Sequence, residues 1–227
     1  MRTMALEFTE VGFNPSLVDY QEAWTLQRDL HDAVVRGTAP NTVLLLEHAP
    51  VYTAGKRTED HERPLDGTDV IAVDRGGKLT WHGPGQLVGY PIIALADPHA
   101  IRHYVHVLED ALIAALGDYD VAAQRVEGRP GLWLPGDEKG PVRKIAAIGI
   151  RVHDGVTMHG FAVNCSNDLT PYGQIIACGI TDAATTTIQA ETGRAVTPQE
   201  FASTIRRELL ARHDDLVGAV PSEGNLR

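Results

Sequence analysis

The chain has 227 residues, 43% of them hydrophobic, and carries 30 acidic against 20 basic side chains for a formal charge of −10. That length suits one domain with a full core, and the composition excludes wholesale disorder. The acidic balance excludes general nucleic-acid binding, which needs a basic face to displace counterions, and the longest apolar runs fall far short of the roughly 20 residues of a membrane-spanning helix.

Ser16 and Asp19 read as a capping box opening a first helix through Leu17, Tyr20, Trp24 and Leu30, with Gly37 as its stop. Thr42 to Glu47 and Asp69 to Asp74 read as strands, separated by a polar loop from Tyr52 to Thr68, and Leu87 to Leu95 as a further strand. A second helix is expected from about Pro98 to Leu116, ending at Gly117, with Ile101, Val105, Leu108 and Leu112 inward. At about 100° per residue, His99, His103 and His106 fall on the opposite, solvated face, so no metal site is expected there. Gly131 to Cys165 reads as a β-meander whose Asp154-Gly155 dipeptide is a hairpin turn. Thr197-Pro-Gln-Glu200 is a full capping box with proline at the first helical position, opening a last helix on Phe201, Ile205 and Leu209. No repeat or linker divides the chain. The expectation is a single α/β catalytic domain over residues 1–212 with a polar, mobile tail over 213–227.

Cysteine usage is sparse, Cys165 and Cys178 alone, and acidic Glu7 and Glu10 stand where a signal peptide would be apolar. Both features predict a reducing, cytoplasmic setting. The densest chemical signal is Arg75-Gly-Gly-Lys-Leu-Thr-Trp-His-Gly-Pro-Gly-Gln86, where four glycines and a proline in twelve residues forbid a regular element interior. Such a loop lets backbone N–H groups approach a ligand closely, and Trp81 and His82 within it favour a site over a plain turn. Gly83, Gly85 and Gly89 are spaced one residue too widely for a dinucleotide fingerprint, and no phosphate-loop pattern lies near Lys78. In the strand Arg143 to Val152, alternation puts Lys144 with Ala146, Ile148 and Ile150 and opposite Arg143 and Arg151, so its amine faces the more apolar side unless it snorkels out at the strand end. Cys178, in Ile175-Ile-Ala-Cys-Gly-Ile180, reads either as a small core hydrophobe or, given Gly179, as a thiol exposed at an unusual turn. Cys165, at a strand end, reads as core.

Taken together these segments resemble the lipoyl(octanoyl) transferase family of lipoate biosynthesis. The matching residues are Arg75 to Pro91, Arg143-Lys-Ile-Ala-Ala-Ile-Gly-Ile150, His159-Gly-Phe-Ala-Val-Asn164, Asp168-Leu169 and Ala177-Cys-Gly-Ile180, in the family's order and covering residues 10–212. The resemblance implies a biotin/lipoate protein ligase-like core, a mixed β-sheet with flanking helices and a smaller second sheet. It implies that Cys178 carries an acyl thioester and that Lys144 favours its thiolate, with no cofactor or metal. It implies an acyl pocket lined by Arg75, Gly76, Gly77, Lys78, Leu79, Thr80, Trp81 and His82, by Ala147, Ile148 and Gly149, and by Gly160, Phe161 and Ala162. The implied donor is octanoyl-acyl carrier protein. The implied acceptors are lipoyl domains of 2-oxoacid dehydrogenase complexes and the glycine cleavage H protein. An acidic carrier meeting an acidic enzyme calls for a local basic patch, for which Arg75, Lys78, Lys139 and Arg143 are the candidates.

Overall fold

The computed structural model describes residues 5–64, 67–97, 99–175 and 183–217; Cys178 and Gly179 lie outside the described residues. Helix α1 (Tyr20–Val35) opens at Asp19, whose carboxylate accepts the N–H groups of Gln21 and Glu22 at 2.8 and 3.2 Å. Asp19 is thus the cap itself and not the third residue of a box begun by Ser16. Its inward face carries Tyr20, Ala23, Gln27, His31 and Val34, more polar than the spacing of large apolar residues suggests.

The main sheet is built from β1 (Leu6–Gly12), β2 (Asn41–Leu46), β6 (Gln86–Ile92), β7 (Gln124–Val126), β8 (Arg129–Leu134), β9 (Arg143–His153), β10 (Val156–Asn164) and β11 (Ala184–Thr185). Its order is β1-β2-β6-β10-β9-β8-β7, with β11 added to the start of β9. The β1–β2 and β11–β9 pairs are parallel and the others antiparallel. Every residue of β2 is buried, because Val43 and Leu45 enter the core on one face and Leu44 and Leu46 on the other. Helices α2 (Ile101–Gly117) and α4 (Pro198–Ala211) supply Leu108, Leu112, Phe201 and Ile205 to the first of these faces, and α1 supplies Ala23 and Val34 to the second. Cys165 is fully buried in the first core, and that burial pushes its thiol up to about 12.

A smaller sheet, β4 (Val70–Ala72), β3 (Val51–Ala54) and β5 (Leu79–His82), forms in that order. The loop expected from Tyr52 to Thr68 therefore begins with a strand. Tyr52 and Ala54 are buried with Leu79 and Trp81 in a core of their own, which the surrounding polar residues mask in the sequence. On α2 the buried stripe passes through Tyr104, Leu108, Ala111 and Leu112; Ile101 is 40% exposed in the first turn, and His99, His103 and His106 are exposed. The hairpin at Asp154-Gly155 forms with both residues at positive φ, 47° and 75°, as a two-residue turn between twisted strands requires. The capping box of α4 closes in both directions between Thr197 and Glu200.

Several elements lie outside the sequence expectation: β1, β7 and β11 go unread, and β5 runs through the Gly-rich segment expected to hold no regular element, because its glycines and proline fall at 76–77 and 83–85, on either side of Leu79–His82. Helix α3 (Ile188–Thr192), capped by Thr187 and ended by Gly193 at φ 74°, is too short to show a period. Helix α5 (His213–Val217) extends the folded chain beyond residue 212, with Leu216 buried in the main core.

Candidate active site

The Gly-rich segment crosses the main sheet where three glycines permit it. Gly77 adopts φ 86°, and the Gly76 N–H donates to the Ile150 carbonyl at 3.0 Å, docking the segment on β9. A Cβ on Gly149 would stand 3.2 Å from both the Arg75 Cδ and the Gly76 oxygen. Arg75 is buried and holds the crossing from beneath. Its Nη1 donates to the Gly76 and Lys78 carbonyls at 3.0 and 2.9 Å, and its Nη2 to the Thr53 carbonyl and hydroxyl, each at 2.9 Å.

The two short segments implied to line the pocket prove to be register partners: Gly160 faces Gly149, Phe161 faces Ile148 and Ala162 faces Ala147. On the other side of β10, Phe161 pairs with Gly89, whose missing side chain makes room for the phenyl ring. A Cβ on Gly160 would come within 2.2 Å of the Gly89 oxygen, so only glycine fits the close approach of β6 and β10.

Above these strands lies a cavity of about 370 Å³, within the range of small-molecule pockets. Arg75, Gly76, Gly77, Lys78, Thr80, His82 and Lys144 line it, with Ala147, Ile148, Gly149, Gly160, Phe161 and Ala162. Leu79 and Trp81 do not; alternation along β5 turns them into the small-sheet core while Thr80 and His82 face the cavity. Val88 and Ile150 add apolar wall. Among the described residues the lining includes five cationic side chains, Arg57, Arg75, Lys78, Arg129 and Lys144, and no carboxylate.

Lys144 is half-buried, with its Nζ 4.9 Å from the centroid of the Trp133 ring. It pairs with Trp133 on β8 and with Thr185 on β11. A second cavity of about 300 Å³ shares Thr80, Lys144, Ala147 and Ala162 with the first. Ile175 and Ala183, the described residues on either side of the segment that contains Cys178, both line this second cavity.

One wall of the first cavity is a cluster that sequence reading missed in part. His48 Nδ1–H donates to the Val18 carbonyl at 3.0 Å, which leaves Nε2 to accept the Tyr90 hydroxyl at 2.7 Å. Tyr20 and His82 stack 6.2 Å apart beside it, and His82 bonds Gln86 Oε1 at 2.7 Å through Nδ1. His159, at φ 56°, donates through Nε2 to Asp74 at 2.7 Å, and Asp74 also pairs with Arg151. Burial holds His48 down at about 4 and His82 at about 3, while the His159 hydrogen bond holds Asp74 at about 2. Tyr90 lies inside the matched motif and Asp74 just before it, but Tyr20 and His48 come from distant segments with no motif to mark them.

These depressed histidines set a pH dependence. Because the folded state resists protonation and the unfolded state does not, stability is full above about pH 6.5 and falls as pH drops toward about 4. His48 alone should cost about 2 kcal/mol by pH 5. Urea unfolding at roughly pH 7.5 and pH 5 should show a smaller acid loss for His48→Gln than for the unmodified chain, by about that amount. Equal acid losses in the two proteins would remove His48 as a cause.

The basic residues expected to dock an acidic carrier all have partners within the chain, and two of them are buried. Arg143 is 4% exposed and gripped by Glu191, with Nε–Oε1 at 2.5 Å and Nη2–Oε2 at 2.9 Å, and by Asp137 at 2.8 Å. Lys78 pairs with Glu62 and Glu59 at 2.6 and 2.9 Å, Lys139 pairs with Glu191, and Arg75 is buried as described. The expectation is therefore corrected for Arg75 and Arg143, which burial withdraws from any docking patch; Lys139 remains exposed and Lys78 half-buried.

Residues 19–210 match the lipoyl protein ligase A/B catalytic domain. An octanoyltransferase of Renibacterium salmoninarum is 68% identical, over 97% of this chain and 94% of its own length. The chain belongs to the lipoyl(octanoyl) transferase family. As a member it is an acyltransferase, and an octanoyltransferase of Mycolicibacterium smegmatis is 56% identical over 90% of the chain and 88% of the relative. Among solved structures, a lipoate protein ligase of Thermoplasma acidophilum superposes with a TM-score of 0.62 at 14% identity, covering 90% of this chain and 81% of the other. A lipoate complex of LipL1 from P. falciparum reaches 0.64 at 10% identity over 96% of this chain and 64% of its own. At such identities these likenesses speak for the fold, a mixed α/β core with a large and a small sheet. No helix among the described residues is long and apolar enough to cross a membrane.

Proposed function

We propose that this transferase moves an octanoyl group from octanoyl-acyl carrier protein to the lysine of lipoyl domains, those of 2-oxoacid dehydrogenase complexes and the glycine cleavage H protein, through a thioester on Cys178. The observation that carries this reading is the position of Lys144. It stands on the wall common to both cavities, one of which is flanked by the residues on either side of the Cys178 segment. The first cavity, with Val88, Ile148, Ile150 and Phe161, suits a medium-length acyl chain.

The chemistry follows from this placement. The Cys178 thiolate attacks the carrier's thioester carbonyl; the new C–S bond forms as the bond to the pantetheine sulfur breaks. The departing thiolate then takes a proton from the Lys144 ammonium. Thioester and thiol exchange at nearly equal energy, so no ATP is needed. Neutral Lys144 next accepts a proton from the incoming lysine amine as it attacks the acyl-enzyme, and the Cys178 sulfur leaves. The amide is far more stable than the thioester, which makes this half effectively irreversible. The Lys144 ammonium, at the junction of the two cavities, favours both the thiolate and the developing oxyanion. A histidine base is less well supplied: His159 Nε2 is engaged by Asp74, and its Nδ1 is buried from solvent.

Intact-mass measurement after incubation with octanoyl-acyl carrier protein should show one octanoyl adduct, removed by hydroxylamine. Cys165→Ser should form the adduct and Cys178→Ser should not. An adduct that persists in Cys178→Ser would reject the covalent role.

A further inference from the structure

We infer that the second cavity is the channel for the amide-bearing arm that presents the acyl thioester, so that arm and acyl chain occupy separate chambers meeting at Lys144. This rests on the acyl-transfer reading above.

The two chambers differ in chemistry. Beside its cations the first alone offers the larger apolar wall of Val88, Ile148, Ile150 and Phe161, whereas the second alone carries the uncharged polar side chains of Gln86, Asn164, Tyr172 and Thr185. Three of these form a fixed polar network: Gln86 Nε2 donates to Asn164 Oδ1 at 2.9 Å and to the Tyr172 hydroxyl at 2.8 Å. Gln86 and Asn164 are buried in β6 and β10, and Asn164 Nδ2 is held by the Thr186 carbonyl at 3.0 Å, so the network is rigid before any ligand arrives. A wall of preset amide and hydroxyl groups is an ill-suited place for a hydrocarbon tail and a suitable one for a chain of secondary amides. A pantetheine arm has that chemistry, two amides leading to a sulfur. The geometry of the junction agrees: a thioester at the shared wall places its carbonyl beside Lys144, its alkyl chain in the first chamber and its amides in the second.

Gly173, at the edge of the second cavity and not of the first, gives a local probe. A Cβ there meets nothing within 4 Å and its φ is unexceptional, so a side chain can be introduced without a backbone clash. The experiment compares acylation of the enzyme by octanoyl-pantetheine and by the octanoyl thioester of ethanethiol, which lacks the amides. In the unmodified protein, kcat/KM should favour the pantetheine ester by roughly tenfold or more. In Gly173→Phe that preference should fall by about the same factor, with the ethanethiol ester as internal reference for folding and chemistry. No preference in the unmodified protein, or one that survives Gly173→Phe intact, overturns the assignment while leaving acyl transfer standing. Failure of both esters and of octanoyl-acyl carrier protein to acylate the unmodified protein would defeat the transfer reading itself.

Discussion

A Lys144→Arg enzyme is expected to accept an octanoyl group and then stall, accumulating acyl-enzyme. Arginine keeps a positive charge at the junction of the two cavities and can keep contact with the Trp133 face, so thiolate formation at Cys178 should survive in part. A guanidinium does not deprotonate in the working range, so it cannot take the proton from the attacking lysine. Overall transfer should fall by roughly 10²–10⁴-fold, the usual worth of a general base. Lys144→Met should fail earlier, slowing acylation as well as transfer. Rapid-quench mass analysis separates the two halves. Normal turnover by Lys144→Arg would exclude the lysine as base and turn attention to His82.

Arg143→Met is expected to destabilise the fold by about 3–5 kcal/mol, the cost of stripping a buried carboxylate of its main charged partner. Glu191 sits with 7% of its side chain exposed, and Arg143 holds its carboxyl below the usual range through a two-bond fork. Glu191→Gln should be milder, since a neutral amide can still accept from the guanidinium. The Arg143→Met, Glu191→Leu double variant should lose less than the two single truncations summed, because it leaves no buried charge behind. Urea unfolding of the unmodified chain, Arg143→Met, Glu191→Leu, Glu191→Gln and the double variant measures these differences. A loss near or below about 1 kcal/mol for Arg143→Met would mean that the pair behaves as a surface contact.

What the sequence made legible was local or arithmetical. The α4 capping box and the Asp154-Gly155 turn are short-range signals, and both formed as read. The turn did more than close a hairpin. Two central residues at 154 and 155 pair 153 with 156 and then each preceding residue with each following one, which brings 147–149 opposite 160–162. The facing of the two implied pocket segments was thus contained in one dipeptide and a count. The alternation in β5 was equally available, and it separates Thr80 and His82 from Leu79 and Trp81. By contrast, Arg143 shares a strand with Lys144 on the opposite parity, and nothing nearby announces Glu191, 48 positions away, as its partner. The His48, Tyr20 and Tyr90 cluster is hidden for the same reason: its members meet only through the stacking of α1 and the β2–β3 connection on the sheet. Side chains that find partners across the fold look, in sequence, like ordinary surface charges or spare aromatics.

The two-residue strand β11 is small, but its register has a consequence for how the site is assembled. Ala184 pairs with Arg143 and Thr185 with Lys144, so the chain leaving the Cys178 segment is fastened, in parallel, to the backbone of the residue proposed to work with that cysteine. At the other end, Ile175 packs against the small-sheet core. Cysteine and lysine are 34 positions apart along the chain, yet the effective separation is the seven residues from Cys178 to Thr185. For the pair proposed to act together, a long sequence separation is thus replaced by a short tether of low loop-closure entropy, and the main sheet bears the cost of the long closure once, during folding.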